Sequence, residues 1–98
     1  MVKTVLWARS ALKNFSKAFE DLSEKSPAVG NEFLNSVNQH LDFLLEHPEI
    51  HQLDRFKLKN PGNVRAFEKF KYRITYTHSS DGIKVLRLRY ARKKTIIR

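Results

Sequence analysis

Residues 64–90 read VRAFEKFKYRITYTHSSDGIKVLRLRY, and this stretch decides the fold. Apolar and polar residues alternate along it, which is the period of half-buried strands. Asp81-Gly82 predicts a turn at its centre, and a second turn or kink is expected near Lys71. The stretch therefore predicts antiparallel strands at Val64–Phe70, Tyr72–His78 and Ile83–Tyr90.

The chain before Pro48 has the 3.6-residue period of helices instead. After an N-cap at Ser10, one apolar stripe consists of Ala11, Leu12, Phe15, Ala18, Phe19 and Leu22. A break at Ser23–Ser26 precedes a second helix, with Ser26 as its cap and Pro27 as its first residue. Its stripe is Val29, Phe33, Val37, Leu41 and Leu44, widened by Leu34 and Leu45, and His47-Pro48 ends it.

Two further segments have strand character. Val2–Trp7 is short, apolar and β-branched, and Arg55–Lys59 (RFKLK) alternates charged and apolar residues before a turn at Asn60–Asn63. Because the two helices are joined by few residues, they should form an antiparallel hairpin. The sequence thus predicts one α+β domain over residues 1–98. Its order is an N-terminal strand, an antiparallel helical hairpin, and a C-terminal antiparallel meander packed on the helices.

Charge is divided unevenly along the chain. Residues 1–54 contain 5 Lys/Arg against 8 Asp/Glu, a net charge of −3, whereas residues 55–98 contain 14 Lys/Arg against Glu68 and Asp81, a net charge of +12. Positive charge at that density opposes folding through self-repulsion, so it is usually retained for a polyanionic partner such as nucleic acid. A face that only aids solubility is the alternative.

Strand alternation predicts which of these cations share a face. If the apolar sets face the helices, the open face of the sheet holds one aromatic residue among five cations: Arg65, Phe67, Lys69, Arg73, Arg87 and Arg89. Such a face holds phosphates and stacks a base. The prediction depends on register, since one β-bulge reverses part of it.

Several function classes receive no support from the sequence. The chain has no cysteine, and of its four histidines only His47 and His51 have a helical ligand spacing, which Pro48 interrupts. We therefore expect no metal site and no cofactor. No membrane-spanning apolar run and no signal-peptide pattern occur, so a cytoplasmic protein without a membrane partner is expected.

The order and content of these segments resemble a known family. A first strand that ends in Trp7, a helical hairpin closed by Pro48, and the segments RAFEKF (65–70), YRITY (72–76) and VLRLRYARK (85–93) together resemble toxins of the RelE/ParE superfamily. These toxins belong to bacterial type II toxin–antitoxin systems, and the resemblance covers essentially the whole chain. It implies a cognate antitoxin as partner.

The resemblance also implies one of two targets. RelE-like members cleave messenger RNA in the ribosomal A site, whereas ParE-like members poison DNA gyrase and cleave nothing themselves. The basic open face favours ribosome-dependent mRNA cleavage, with ribosome and mRNA as partners. A non-catalytic gyrase inhibitor is the first alternative, and a non-toxic nucleic-acid-binding module is the second.

Residue roles follow from the resemblance position by position. Arg73 matches the phosphate-stabilising Arg of the family, Arg65 falls near a basic position on the preceding strand, and Arg92 matches a basic residue after the last strand. Tyr90 stands where many relatives have His. The predicted catalytic set is therefore Arg73, Arg65, Arg92 and Tyr90, and the predicted nucleic-acid-binding set is Arg87, Arg89, Lys69, Lys93, Lys94 and Phe67.

Structural interpretations compete with these roles. An ion pair with Glu68, itself a candidate base, is the structural alternative for Arg73, and Tyr90 shares its parity with the apolar Leu88. Arg92 lies in a solvated run of cations. The family's second Lys would fall on Phe67, and the chain ends at Arg98, before the C-terminal helix and Tyr of RelE proper. Both departures weaken the ribonuclease interpretation.

Overall fold

The structure, a computed structural model, describes residues 3–51, 53 and 64–91. The elements follow in the order β1 (Thr4–Trp7), α1 (Arg9–Lys25), α2 (Pro27–Glu46), β2 (Val64–Lys69), β3 (Tyr72–Ser79) and β4 (Gly82–Tyr90). One four-stranded sheet has the strand order β1-β4-β3-β2. The predicted α+β class and element order are confirmed, whereas the predicted strand Arg55–Lys59 and the turn Asn60–Asn63 lie outside the described residues.

The helical hairpin turns at the predicted cap. The Ser26 hydroxyl accepts a hydrogen bond of 3.4 Å from the backbone N–H of Val29, and Pro27 is the first residue of α2. The helix ends at Glu46, directly before His47-Pro48. Local sequence therefore determines these boundaries. In the described parts of the chain, no helix combines the length and apolar character needed to cross a membrane.

The predicted N-cap at Ser10 is wrong. Helix α1 begins at Arg9 with Ala8 as its N-cap, and no side chain caps it. The Ala8 N–H donates instead to the carbonyl of Val85 at 2.8 Å, while the Ala8 carbonyl accepts from Leu12 at 3.0 Å. The hydrogen bond to the sheet thus fixes the point at which the chain turns from strand to helix.

The core lies between the hairpin and one face of the sheet. Helix α1 contributes Ala11, Phe15 and Ala18, and α2 contributes Phe33, Val37, Leu41 and Leu44, all 7% exposed or less. Leu12 is 50% exposed, so the predicted stripe on α1 is narrower than expected. Each helical residue advances about 100° around the axis, and Leu12 therefore points away from the side where Ala11 and Phe15 are buried.

Both turns of the meander are short. Phe70 and Lys71 have φ angles of 52° and 70°, and they join β2 to β3 so that Lys69 pairs with Tyr72. Two consecutive left-handed residues are typical of the two-residue turn that matches strand twist. The turn predicted around Asp81-Gly82 is also confirmed, with Ser79 paired to Gly82.

Strand β4 contains a bulge that the alternation did not predict. Thr75 pairs with Arg87 but its neighbour Tyr76 pairs with Val85, which leaves Leu86 as an extra residue. Strict alternation would put Val85 on the same face as Arg87 and Arg89, but Val85 is 0% exposed and faces the helices. Beyond the extra residue, the side chains change faces.

Gly82 permits β1 to pair in parallel with β4. Its φ is +131°, and a Cβ at this position would collide with the backbone carbonyl oxygen of Thr4, its pairing partner.

We expect Gly82→Ala to lower the free energy of unfolding by at least about 2 kcal/mol, from backbone strain and the loss of β1 pairing. Chemical denaturation measures this; Asp81→Ala is the control, and equal stability of the two variants would contradict the expectation.

The two helices approach each other closely at Gly30. A Cβ on Gly30 would lie 3.0 Å from Cβ of Ser23, and the buried Ser23 hydroxyl has no hydrogen-bond partner among the described residues.

Ser23→Ala removes this unsatisfied group, so we expect a gain of about 1 kcal/mol in unfolding free energy. Ser16→Ala, at an exposed position of the same helix, reports the smaller contribution of helix propensity alone. Equal gains in the two variants would refute the argument.

Candidate functional site

The open face of the sheet carries a row of cations. Arg73 on β3 lies opposite Arg89 on β4, and Arg87 lies opposite Thr75, whereas the intervening apolar residues of both strands face the helices. Arg87 and Arg89 are exposed, and Arg73 retains a side-chain exposure of 24%. The predicted placement of these three arginines on the open face is confirmed.

Lys84 joins this face and was not predicted to do so. It pairs with Thr77, whose neighbours Tyr76 and His78 point to the helices. The bulge at Leu86 is the reason, because strict alternation would put Lys84 and Arg87 on opposite sides of the sheet. The sequence does contain a signal: the apolar residues change from odd positions (Ile83, Val85) to even positions (Leu88, Tyr90). We call Arg73, Lys84, Arg87 and Arg89 the basic face.

Among the residues that the structure describes, Glu68 borders the basic face. Glu68 on β2 lies directly opposite Arg73, with a distance of 3.9 Å between Oε2 and NH1. The Glu68 side chain is 55% exposed, so this long ion pair contributes at most a few tenths of a kcal/mol. Arg73 also faces Arg89, and like charges directly opposite each other are destabilising. The backbone pairing of the sheet therefore keeps these cations close together against their mutual repulsion, and a bound anion would reduce that repulsion.

Three residues predicted for the open face lie on the helix side. Arg65, Phe67 and Lys69 pair with Tyr76, Ile74 and Tyr72, whose side chains form or border the core. The prediction was wrong because the two-residue turn pairs Lys69 with Tyr72, and every second residue of β2 then shares the face of Ile74.

Their contacts reflect this position. The Arg65 guanidinium donates 2.7 Å to the carbonyl of His51 and 3.3 Å to Nε2 of His78. Phe67 is 5% exposed, and its ring centroid lies 4.4 Å from that of His40. A ring in this position is packed between side chains and has no open face on which a base could stack.

Tyr90 also lies on the helix side, opposite Tyr72, with the two ring centroids 5.3 Å apart. It shares this side with Leu88, as its parity predicted, but it is 52% exposed. The structure therefore separates Tyr90 and Arg65 from Arg73 by the thickness of the sheet. Arg92, Lys93 and Lys94 lie outside the described residues.

Two tyrosines near the core are poor proton acceptors. Burial raises the pKa of Tyr76 to about 12, and its hydroxyl donates 2.8 Å to the carbonyl of Pro48. Burial also raises the pKa of Tyr72. Both phenols therefore keep their protons at neutral pH, and the Tyr76 hydroxyl acts as a hydrogen-bond donor.

A groove of about 820 Å³ lies on the helix side, between α1 and the end of the sheet where β3 begins and β4 ends. Its lining combines apolar surface with a charged rim and includes Lys17, Asp21, Leu22, Phe70, Tyr72 and Tyr90. Lys17 and Asp21 form an exposed ion pair of 2.9 Å along the rim. The ring of Phe70 is 37% exposed and meets the buried Phe33 edge-on.

The comparison with family models decides the class of protein. Residues 5–95 match the model described as ParE toxin of type II toxin-antitoxin system, parDE. The chain belongs to the ParE toxin family. No curated protein matches it. The resemblance to RelE/ParE toxins is thereby confirmed, and this ParE-family chain is the toxin of a type II system, whose partner is a cognate antitoxin.

Within this ParE-family toxin, sequence reasoning also missed a cluster of histidines. Nε2 of His40 lies 2.7 Å from Nε2 of His51, and both rings contact Phe67. The helical spacing in the sequence singles out His47 and His51 instead, but in the structure the His47 ring stacks on Phe43. Among the residues that the structure describes, no three His, Cys, Asp or Glu side chains are grouped as metal ligands.

Proposed function

We propose that this toxin arrests growth by inhibiting DNA gyrase, without cleaving nucleic acid itself. The observation that carries the proposal is the match to the ParE family over residues 5–95. The site geometry agrees, because Arg73 lies on the open face whereas Arg65 and Tyr90, expected to act with it in RNA cleavage, lie on the helix side. A cleavage reaction needs its acid, base and charge-stabilising groups around one phosphate.

The basic face would bind the polyanionic surface that gyrase presents while it holds DNA. Three of the four cations of the basic face are arginines (Arg73, Arg87 and Arg89). The planar guanidinium group of an arginine forms paired hydrogen bonds to a phosphate or carboxylate. Lys84 adds a fourth positive charge at the far end of the row. A rigid sheet holds these groups in place, which reduces the entropy lost on binding.

One observation favours ribosome-dependent mRNA cleavage as a second candidate. The same four cations suit an RNA backbone, and Glu68 lies 3.9 Å from Arg73, where a carboxylate could accept a proton. In that reaction the 2′-hydroxyl of the RNA attacks the adjacent phosphate. The cations would then offset the charge of the phosphorane.

Induced expression distinguishes the two targets. As a gyrase inhibitor, the toxin should produce double-strand breaks and covalent gyrase–DNA complexes, while mRNA stays intact for as long as growth is arrested. DNA breaks, trapped gyrase and mRNA 5′ ends are scored in the same culture. New mRNA ends at ribosome-bound sites, without DNA damage, would overturn the proposal in favour of RNA cleavage.

A charge-neutral variant tests the basic face. We expect Arg87→Gln with Arg89→Gln to weaken target binding by at least about tenfold and to restore growth, because hydrogen bonds to charged groups are lost. Both side chains are exposed, so thermal unfolding should change little. The control Lys13→Gln with Lys17→Gln removes the same charge from α1. Equal rescue by both variants would mean that net charge alone matters.

We also propose that the cognate antitoxin covers the groove beside α1. Phe70 and Tyr90 offer it exposed aromatic surface, and the lysines that line the groove (Lys17, Lys25 and Lys71) outnumber its acids, Asp21 and Glu24. An amphipathic segment with acidic residues along its edges complements this lining.

The variant Phe70→Asn tests the groove. Asn tolerates the left-handed φ of 52°, so the turn is kept while the ring is removed. We expect the affinity for the antitoxin from the neighbouring reading frame to fall by at least about tenfold in calorimetry. Leu12→Asn, at a 50% exposed position of α1 outside the groove lining, is the control. Unchanged affinity of Phe70→Asn would place the antitoxin elsewhere.

A further inference from the structure

The chain that leaves α2 is fastened to the sheet and back to α2 by polar contacts. Tyr76 donates 2.8 Å to the carbonyl of Pro48, and Arg65 donates 2.7 Å to the carbonyl of His51. The third contact joins the Nε2 atoms of His51 and His40 at 2.7 Å. We call Pro48–His51 the strap. It follows α2 directly and lies over the rings of Phe67 and Tyr76.

The contact between the two imidazoles has a strict proton requirement. Two nitrogens 2.7 Å apart form a hydrogen bond only when one of them carries a proton and the other does not. The contact therefore survives when both rings are neutral, and also when one ring is ionised and donates to the other. When both rings are ionised, two N–H groups face each other and the contact breaks. The pair thus titrates as one coupled unit.

The surroundings of the pair disfavour its second proton. Lys69 and Arg65 on β2 are cations, and β3 contributes Tyr76 and His78. Nε2 of His78 accepts a hydrogen bond of 3.3 Å from Arg65. Burial lowers the pKa of both His40 and His51, and the charge of Lys69 lowers both further. No carboxylate among the described residues opposes these effects on either ring.

We propose that His40 and His51 form an acid-sensitive latch, which holds the strap against α2 and over Phe67 near neutral pH and releases it when the second imidazole is ionised. In the released strap, both rings recover a pKa near the ordinary ~6.5. The latched state therefore binds fewer protons than the released state. The stability of the latched state relative to the released state is therefore greatest above about pH 6.5 and falls as the pH drops below that value.

Release has a defined structural consequence. His40 and His51 contact the ring of Phe67, which is 5% exposed while the latch is closed. The core residues Leu41 and Leu44 of the same helix are 1% and 0% exposed and belong to the core between the hairpin and the sheet. Opening should therefore uncover Phe67 and free the strap without unfolding the domain.

Amide hydrogen exchange of the full chain tests the latch. Between about pH 7.5 and about pH 5, the amide of Ile50, which donates to the carbonyl of His47 at 3.3 Å, should exchange about tenfold faster after correction for the intrinsic rate. The amides of Phe33 and Val37, in the middle of α2, should show no such change. Side-chain NMR should show His40 and His51 titrating in two coupled steps below the ordinary pH. Independent titration of both rings near ~6.5 would overturn the proposal.

Two variants separate the latch from general acid sensitivity. His51→Gln keeps a planar hydrogen-bonding group that does not ionise, so the strap should stay protected in acid. Lys69→Met removes the neighbouring cation, and it should shift the loss of protection and the second imidazole titration to higher pH. The matched control His47→Gln removes an exposed histidine outside the pair and should behave as the wild type does. Equal acid opening in His51→Gln and the wild type would refute the latch.

Discussion

The bulge at Leu86 is the constraint on which the arrangement of the sheet depends. Strand β4 is hydrogen-bonded on both sides, to β1 and to β3, so it cannot slide to suit its side chains. Its apolar residues nevertheless occupy odd positions before Leu86 and even positions after it. One extra residue reconciles the two sets, so that Val85 and Leu88 both face the helices. The same change places Lys84 and Arg87 together on the open side.

Local sequence determined the parts of the fold that depend on local physics. The cap at Ser26, the first-turn Pro27 and the end of α2 before His47-Pro48 were all predictable, because their hydrogen bonds lie within a few residues. The start of α1 was not, since Val85, far along the chain, fixes Ala8. Which residues of β2 face the helices depends on the length of the turn between β2 and β3. Once Lys69 pairs with Tyr72, Phe67 must lie beside Ile74.

The positive charge of the C-terminal half divides between two structural settings. Arg73, Lys84, Arg87 and Arg89 lie on the open face of the sheet. Arg65 and Lys69 lie across the sheet, beside the histidines and the chain that follows α2. The composition of the chain does not show that these cations lie on two different sides of the sheet. The sheet separates them, because neighbouring residues of a strand point to opposite sides.

The parallel pairing of Thr4 with Gly82 has a consequence for synthesis on the ribosome. The first strand of the chain finds its partner only in the last strand, so this edge of the sheet cannot form until residues through β4 have been made. Closing so long a loop also slows folding. The nascent toxin therefore stays incomplete during its own translation, and its basic face, which includes three residues of β4, is assembled only at the end.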